Sequence, residues 1–360
     1  MIKTQLKIRG VDESLDGVIE GIIVLDELIE QNRYDFRQTW KSFLPEEDFS
    51  SEKGKMAYVP IVAMRKCYPE HGEFSGKVRD IPYFIFVLNQ ARESRPKSLD
   101  KKIKNGGGKG RLKSHCKLCE NIIDQGMIIG EIDNYWLTPN GYPYHMYASL
   151  LINKSLNRKQ GDISAGDIAT WMRTSVLLDQ YVFYNTVKAG ASIGEHQHAQ
   201  VVDHGEIKVN NEVVPYPILN NTFVDREQIN GTEDVFRLKN YPVDALIFTG
   251  RDAPHKAEYA AHLLVSEGQA FNILVNKNEV FVIGRNKEKE KSVCIRRNVG
   301  GYELSGVGLL GDIEEKSGDL MIKVEGAKIF SNMTYEIFGK NLRASSTGLD
   351  GIARKFTGVR

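Results

Sequence analysis

The chain has 360 residues, enough for one large domain or two small ones around a sizeable core. Hydrophobic residues make up 41% and charged residues 26%, an ordinary globular composition, and a formal net charge of +1 argues against a general nucleic-acid binder. Four cysteines are too few for a disulfide framework, no stretch is apolar enough to span a bilayer, and residues 1–10 lack a leader-like apolar run; the expectation is a soluble protein of the reducing cytoplasm.

Residues 11–32 predict a helix, because Leu15, Val18, Ile19, Ile22, Ile23, Leu25 and Leu28 recur at near-helical spacing with acids between them. Residues 35–55 are polar and aromatic and predict a short helix and a loop. Residues 57–64 and 81–89 are apolar, β-branched and aromatic, the composition of strands. Residues 97–113 are basic and carry Gly106, Gly107, Gly108 and Gly110. They read as a solvated loop or as a mobile lid that meets phosphates, and they lack the spacing of a P-loop. Residues 144–152 predict a strand. Ser164 and Asp167 form a capping pair, and the helix that follows carries Ile168, Trp171, Met172 and Leu178 on one side.

Residues 181–185 predict a strand, residues 188–192 a glycine-containing turn, and residues 196–202 another strand. Residues 210–231 are rich in Asn and Pro and read as a loop excursion. Residues 241–249, 271–275 and 279–283 predict strands, with a helix over 255–269. This mixed order predicts an α+β fold with a largely antiparallel sheet.

The chemistry concentrates in residues 184–200. On a strand, side chains alternate faces, so His196, His198 and Gln200 are expected on one face, with Gln197, Ala199 and Val201 on the other. Two imidazoles and an amide on one face are costly to bury without partners, which suits a polar site better than a core. The preceding turn supplies Gly190, Ala191, Ser192 and Gly194, small residues that let the backbone approach a ligand. Their N–H groups and the Ser192 hydroxyl can donate to phosphate oxygens, and Lys188 adds positive charge. A phosphate cradle beside a histidine suggests attack at phosphorus. A backbone carbonyl holding Nδ1–H would leave Nε2 free to attack.

The run Phe183-Tyr184-Asn185, followed by Gly190-Ala191-Ser192 and then His196-x-His198-x-Gln200, resembles the histidine-triad nucleotidyltransferases and phosphorylases. That group includes galactose-1-phosphate uridylyltransferase, diadenosine tetraphosphate phosphorylase and GDP-hexose phosphorylases such as GDP-L-galactose phosphorylase. Residues 88–96, 241–248, 271–275 and 302–306 are similar to further blocks of the GDP-hexose phosphorylases, so the resemblance runs from about residue 57 to residue 315 in the expected order. It implies His198 as nucleophile, Gln200 as the amide that holds phosphoryl oxygens, and Asn185 and Ser192 at phosphate-contacting positions. Hydrolases of the superfamily carry a third histidine where Gln200 stands. An amide cannot shuttle a proton to water, which favours transfer to phosphate or a sugar phosphate. Relative to the better-known members, one extra residue lies between Ser192 and His196, in the gap held by Gly194 and Glu195.

Cys116-x-x-Cys119 has the spacing of two ligands of a tetrahedral zinc. The resemblance adds His196 as a third ligand of a structural zinc. The family's further histidine has no counterpart in residues 151–157, and His115 or His145 are the substitutes at hand. Two buried thiols are the plainer reading of the pair. Arg92, Arg95 and Lys97 are candidates for substrate phosphates, since guanidinium forks suit phosphate oxygens. His204 shares the parity of His198, and Glu195 is a candidate to orient His196 or a substrate hydroxyl. His71, His255 and His262 have no supporting neighbours.

The resulting expectation is a histidine-triad-like (HIT-like) α+β fold with a mostly antiparallel sheet and flanking helices. Residues 1–55 form a helical extension, 56–240 the catalytic region, 241–345 a C-terminal part of the same fold and 346–360 a tail. The expected partners are a nucleotide or nucleotide sugar and phosphate, with no membrane and no nucleic acid. A homodimer is in keeping with the resemblance. The expected reaction is nucleotidyl transfer from a nucleoside diphosphate sugar through a nucleotidyl-histidine. The rivals are dinucleoside polyphosphate phosphorolysis, a nucleotide sensor without turnover, and a zinc hydrolase using His196 and His198 as ligands.

Overall fold

The structure, a computed structural model, describes residues 6–7, 21–43, 63–67, 83–88, 118–119, 123, 126–141, 143, 147–191, 193–203, 208–209, 212–219, 224–286, 300–310, 313–317, 320–324 and 331–357. In chain order the strands are β1 (Leu6–Lys7), β2 (Ala63–Cys67), β3 (Phe84–Leu88), β4 (Gly130–Ile132), β5 (Tyr135–Pro139), β6 (Ser149–Asn153), β7 (Gln180–Asn185), β8 (His198–Asp203), β9 (Lys208–Val209), β10 (Glu212–Val213), β11 (Asp225–Gln228), β12 (Val235–Lys239), β13 (Leu246–Thr249), β14 (Ala270–Asn276), β15 (Glu279–Arg285), β16 (Val307–Leu310), β17 (Ile313–Ser317) and β18 (Leu320–Val324). The helices are α1 (Gly21–Lys41), α2 (Ala165–Leu178), α3 (Ala253–Ser266), α4 (Gly301–Leu304), α5 (Tyr335–Ser345) and α6 (Asp350–Arg354).

Eleven strands form one sheet in the order β1-β4-β5-β6-β8-β7-β14-β15-β13-β12-β11. Neighbours run antiparallel except β1, which lies parallel to β4. A smaller sheet, β16-β3-β2, pairs β3 parallel with β16 and antiparallel with β2. The α+β class and the mostly antiparallel sheet are as the sequence predicts. No helix among the described residues is long and apolar enough to cross a membrane.

Strand β7 is buried along its whole length, and packing distinguishes its two faces. Val182 and Tyr184 join Ala199, Val201, Ile273 and Val280 in a core with Ile168 and Trp171 of α2 and Leu264 of α3. Tyr181 and Phe183 join Val202, Leu274 and Phe281 in a second core with Phe84 and Phe86 of β3 and Phe338 of α5. Because side chains alternate along a strand, Asn185, His198, Gln200 and Asn272 all share the parity of this second core. The site therefore lies on the face opposite α2 and α3.

Helix α2 starts where its sequence says. The Ser164 side chain caps the Asp167 N–H, and Asp167 reciprocates to the Ser164 backbone. It ends on Asp179 in the left-handed region at φ 49°. Trp171 stacks on Tyr184 at 4.7 Å between ring centroids, tying α2 to β7.

Several boundaries differ from expectation. Helix α1 runs on to Lys41, where the sequence suggested an end at residue 32. Phe36 and Trp40, one turn apart, extend the apolar face and are fully buried, and Trp40 Nε1 donates to the Ala148 carbonyl at 3.2 Å. Arg37, between them, donates from Nε at 3.2 Å and from Nη2 to the buried Asp203 carboxylate at the end of β8. The predicted loop excursion contains β10 and β11, and β12 was not foreseen. Strand β11 is mostly exposed, so it lacks the apolar alternation by which strands are recognised. The strands expected from residues 144 and 241 begin at Ser149 and Leu246. Residues 11–20, 57–62 and 97–113 lie outside the described residues.

Candidate active site

Strand β8 begins at His198, so the expected alternation holds for His198 and Gln200 but does not extend back to His196. His198 is only 7% exposed. Its Nδ1 lies 2.9 Å from the His196 carbonyl oxygen, which can only accept, so Nδ1 carries the proton. The ring is thereby fixed in the tautomer whose Nε2 holds the lone pair, and Nε2 meets no partner among the described residues. Burial pushes the His198 pKa below its usual value, against the smaller opposing effect of the carbonyl bond, which keeps the imidazole neutral. Gln200, half-buried, lies two positions along the same face and opposite Phe183 of β7.

Asn185 ends β7 beside this histidine. Its Oδ1 accepts twice, from Asn272 Nδ2 at 2.6 Å and from the Gly301 N–H at 2.8 Å. Both donors assign the oxygen, which leaves Nδ2 as the available end, and no described residue accepts from it. Asn272 Nδ2 also donates to the Ala189 carbonyl at 2.7 Å, and Arg285 Nη1 donates to Asn272 Oδ1 at 2.9 Å. A polar row thus crosses β15, β14 and β7 under the 3-10 turn Val187–Ala189. Sequence reasoning missed Asn272 and Arg285, because each stands alone in an apolar strand.

The turn that follows depends on Gly190, whose φ of 101° few side chains tolerate. The expected donation by consecutive N–H groups is only partly available, because the Ala191 N–H is spent on the Thr186 carbonyl at 3.2 Å. Lys188 is exposed at this turn. Glu195 is exposed too and does not orient His196, whose ring nitrogens are taken by other groups. Ser192, Arg92, Arg95, Lys97, Cys116, His115, His145 and His204 lie outside the described residues.

His196 is buried with Nδ1 3.2 Å from Cys119 Sγ and Nε2 2.7 Å from the Asn153 carbonyl. The carbonyl fixes the proton on Nε2 and turns Nδ1 toward sulfur, the arrangement a metal-ligating histidine adopts. Two ligands of a tetrahedral zinc lie about 3.5 Å apart, within a few tenths of an ångström of this pair. Among the described residues no third histidine, cysteine or carboxylate joins them, so two of four donors are in place. Gln197 faces away as expected, toward Tyr135 and the first turn of α2. Its Oε1 accepts from Asn153 Nδ2 at 2.7 Å and Tyr135 OH at 3.0 Å, and its Nε2 donates to the Asp162 carbonyl.

Gln160 carried no signal in the sequence. It lies in the loop between β6 and α2, and its side chain enters between β7 and β8. Its Oε1 accepts the His198 N–H at 2.8 Å, while Nε2 donates to the carbonyls of His198 at 2.9 Å and Asn185 at 2.6 Å. The backbone of the proposed nucleophile and that of Asn185 are thus tied to one amide.

No family model matches the chain, and no curated protein matches it in sequence. Similarity is found among solved structures. The yeast Ap4A phosphorylase Apa2 superposes with a TM-score of 0.54 at 12% identity, over 89% of this chain and 97% of that one. Its complex with Ap4A gives 0.50 at the same identity and coverage. Its complex with AMP gives 0.48 at 14% identity, over 78% and 87%. The eleven-stranded sheet, with the histidine at the start of β8, is thus built on the same fold as this yeast phosphorylase.

Proposed function

We propose that this chain is a nucleotidyltransferase of the phosphorylase type that works by double displacement at His198. The observation that carries the reading is the Nδ1 bond to the His196 carbonyl in a buried setting, which leaves a neutral imidazole with its Nε2 lone pair available. Nε2 attacks the α-phosphorus of a nucleotide, and a P–N bond forms as the bridging P–O bond breaks. The leaving phosphate ester departs with the bond's electron pair. An oxygen of inorganic phosphate, or of another phosphorylated acceptor, then attacks the same phosphorus. The P–N bond breaks and the lone pair returns to Nε2. The Asn185 Nδ2 and Gln200 amides are the groups assigned to the phosphoryl oxygens, where added negative charge is best met by fixed donors.

Two donors share this chemistry. The resemblance of His196-x-His198-x-Gln200 to the GDP-hexose phosphorylases supports a nucleoside diphosphate sugar. The likeness of fold to an Ap4A phosphorylase supports a dinucleoside polyphosphate. Cys119 and His196, with Cys116, are assigned to a structural zinc that would brace the loop before His198.

The test is a product screen. The protein is incubated with nucleotide sugars and dinucleoside polyphosphates, with and without inorganic phosphate, and products are separated by chromatography. Phosphate-dependent release of a nucleoside diphosphate supports the reading, and the donor consumed identifies the substrate class. A panel with no turnover, sugar-phosphate acceptors included, leaves a nucleotide-binding protein as the better description.

A further inference from the structure

The β7–β8 ladder closes at the pair Phe183–Gln200. Continued by two residues, the register would set Asn185 opposite His198. The strands do not exchange their own bonds there, because the Gln160 amide stands in the gap and completes the rung from outside. Its three bonds reach the N–H and carbonyl of His198 and the carbonyl of Asn185. Gln160 is buried, so these groups have no ready substitute in water.

The loop that carries it is latched to the histidine loop. The Gln160 N–H donates to the Gly194 carbonyl at 3.1 Å, and the Arg158 carbonyl accepts from the Gln197 N–H at 2.9 Å. Gly194 belongs to the one-residue expansion noted in the sequence. A Cβ there would stand 3.0 Å from Val187 Cγ2, so the loop passes close to the turn and a larger residue would require the exposed Val187 side chain to give way.

We propose that Gln160 is a positioning residue that sets the distance between the His198 imidazole and the Asn185 amide, and hence the alignment of nucleophile and phosphoryl group. This rests on the reading of His198 as nucleophile. Alignment of reacting atoms acts on the chemical step more than on ground-state binding. The expected signature is a fall in kcat with little change in KM.

The experiment compares wild-type protein with Gln160→Met, which keeps the length and removes all three bonds, and with Gln160→Glu. The glutamate keeps the acceptor for the His198 N–H and can donate to one carbonyl when it carries a proton. For the donor identified by the product screen, Gln160→Met is expected to lower kcat about 30- to 300-fold with KM within about 3-fold, and Gln160→Glu to recover part of that loss. Folding is checked by circular dichroism. A folded Gln160→Met with kcat within about 3-fold of wild type, or a loss carried by KM alone, overturns the proposal. Should Gln160→Met not fold, Gln160→Glu decides alone: kcat down about 5- to 30-fold at constant KM supports the proposal, and kcat within about 2-fold overturns it. Wild-type protein that turns over nothing sinks the parent reading, and this one with it. Wild-type turnover with unchanged kcat in the variants sinks this one alone.

Discussion

Asn272 donates its side-chain amide to Asn185 Oδ1 at 2.6 Å, directly across the β14–β7 rung on which the two residues are paired. That bond, together with the one from the Gly301 N–H, decides which end of Asn185 is left to face a ligand. Asn272→Leu removes it and also leaves Arg285 Nη1 and the Ala189 carbonyl without this partner. The expected cost is about 1–3 kcal/mol of stability, from buried groups left unmatched, read by urea denaturation. Asn185 Oδ1 is then held by the Gly301 N–H alone, a looser amide, so kcat/KM should fall about 10- to 100-fold. Unchanged kcat/KM in a folded Asn272→Leu would show that Asn185 needs no such support.

His198→Ala removes the proposed nucleophile and should reduce turnover by at least about 1000-fold while leaving nucleotide binding measurable. Mass spectrometry of wild-type protein quenched during turnover should show a nucleotidyl adduct on the peptide that contains His198. An adduct on another residue, or full activity in the variant, would move the nucleophile elsewhere.

The direction of the His198 shift fixes the acid side of the pH profile. Protonation of Nε2 removes the attacking lone pair, so kcat/KM falls as pH drops through the folded-state pKa. Burial lowers that pKa, and the acid limb should therefore lie below the ordinary histidine value of about 6.5. Stability follows the same sign. The unfolded chain takes up a proton below about 6.5 that the folded site resists, so this residue costs stability as pH falls under that value. A rate profile over pH 5 to 8 checks the point, and an acid limb centred above 7 would contradict it.

Cys119 and His196 test the zinc assignment. Metal analysis of protein purified without chelator should give about one zinc per chain, and Cys119→Ala should lose it together with several degrees of thermal stability. Protein free of zinc, with an unaltered melting temperature in Cys119→Ala, would make the 3.2 Å contact a thiol–imidazole hydrogen bond and nothing more.

Local signals were legible in the sequence where one element contained all their parts. The capping pair of Ser164 and Asp167 spans four residues, and α2 begins there. The strand that ends in Asn185 was visible from its β-branched and aromatic run. The parity of His198 and Gln200 followed from pleating alone. What stayed hidden was held together across long separations. Gln160 reaches His198 over 38 positions and Asn272 reaches Asn185 over 87, and neither leaves a local pattern. Strand β11 escaped for a different reason: Asp225-Arg226-Glu227-Gln228 is an edge strand whose charges show no buried face.

The pairing of Arg37 with Asp203 has a bearing on the order of assembly during synthesis. Helix α1 leaves the ribosome 166 residues ahead of the carboxylate that receives it. At typical elongation rates that is a wait of roughly ten to thirty seconds. Within that interval Phe36 and Trp40 can already meet Tyr147 and Ala148, but Arg37 lacks the Asp203 carboxylate. The strand that begins with His198 gains its far anchor only when this early-made segment folds back onto it. A nascent chain stalled before residue 203 should therefore hold α1 less firmly, and lose it to proteolysis sooner, than one released beyond it.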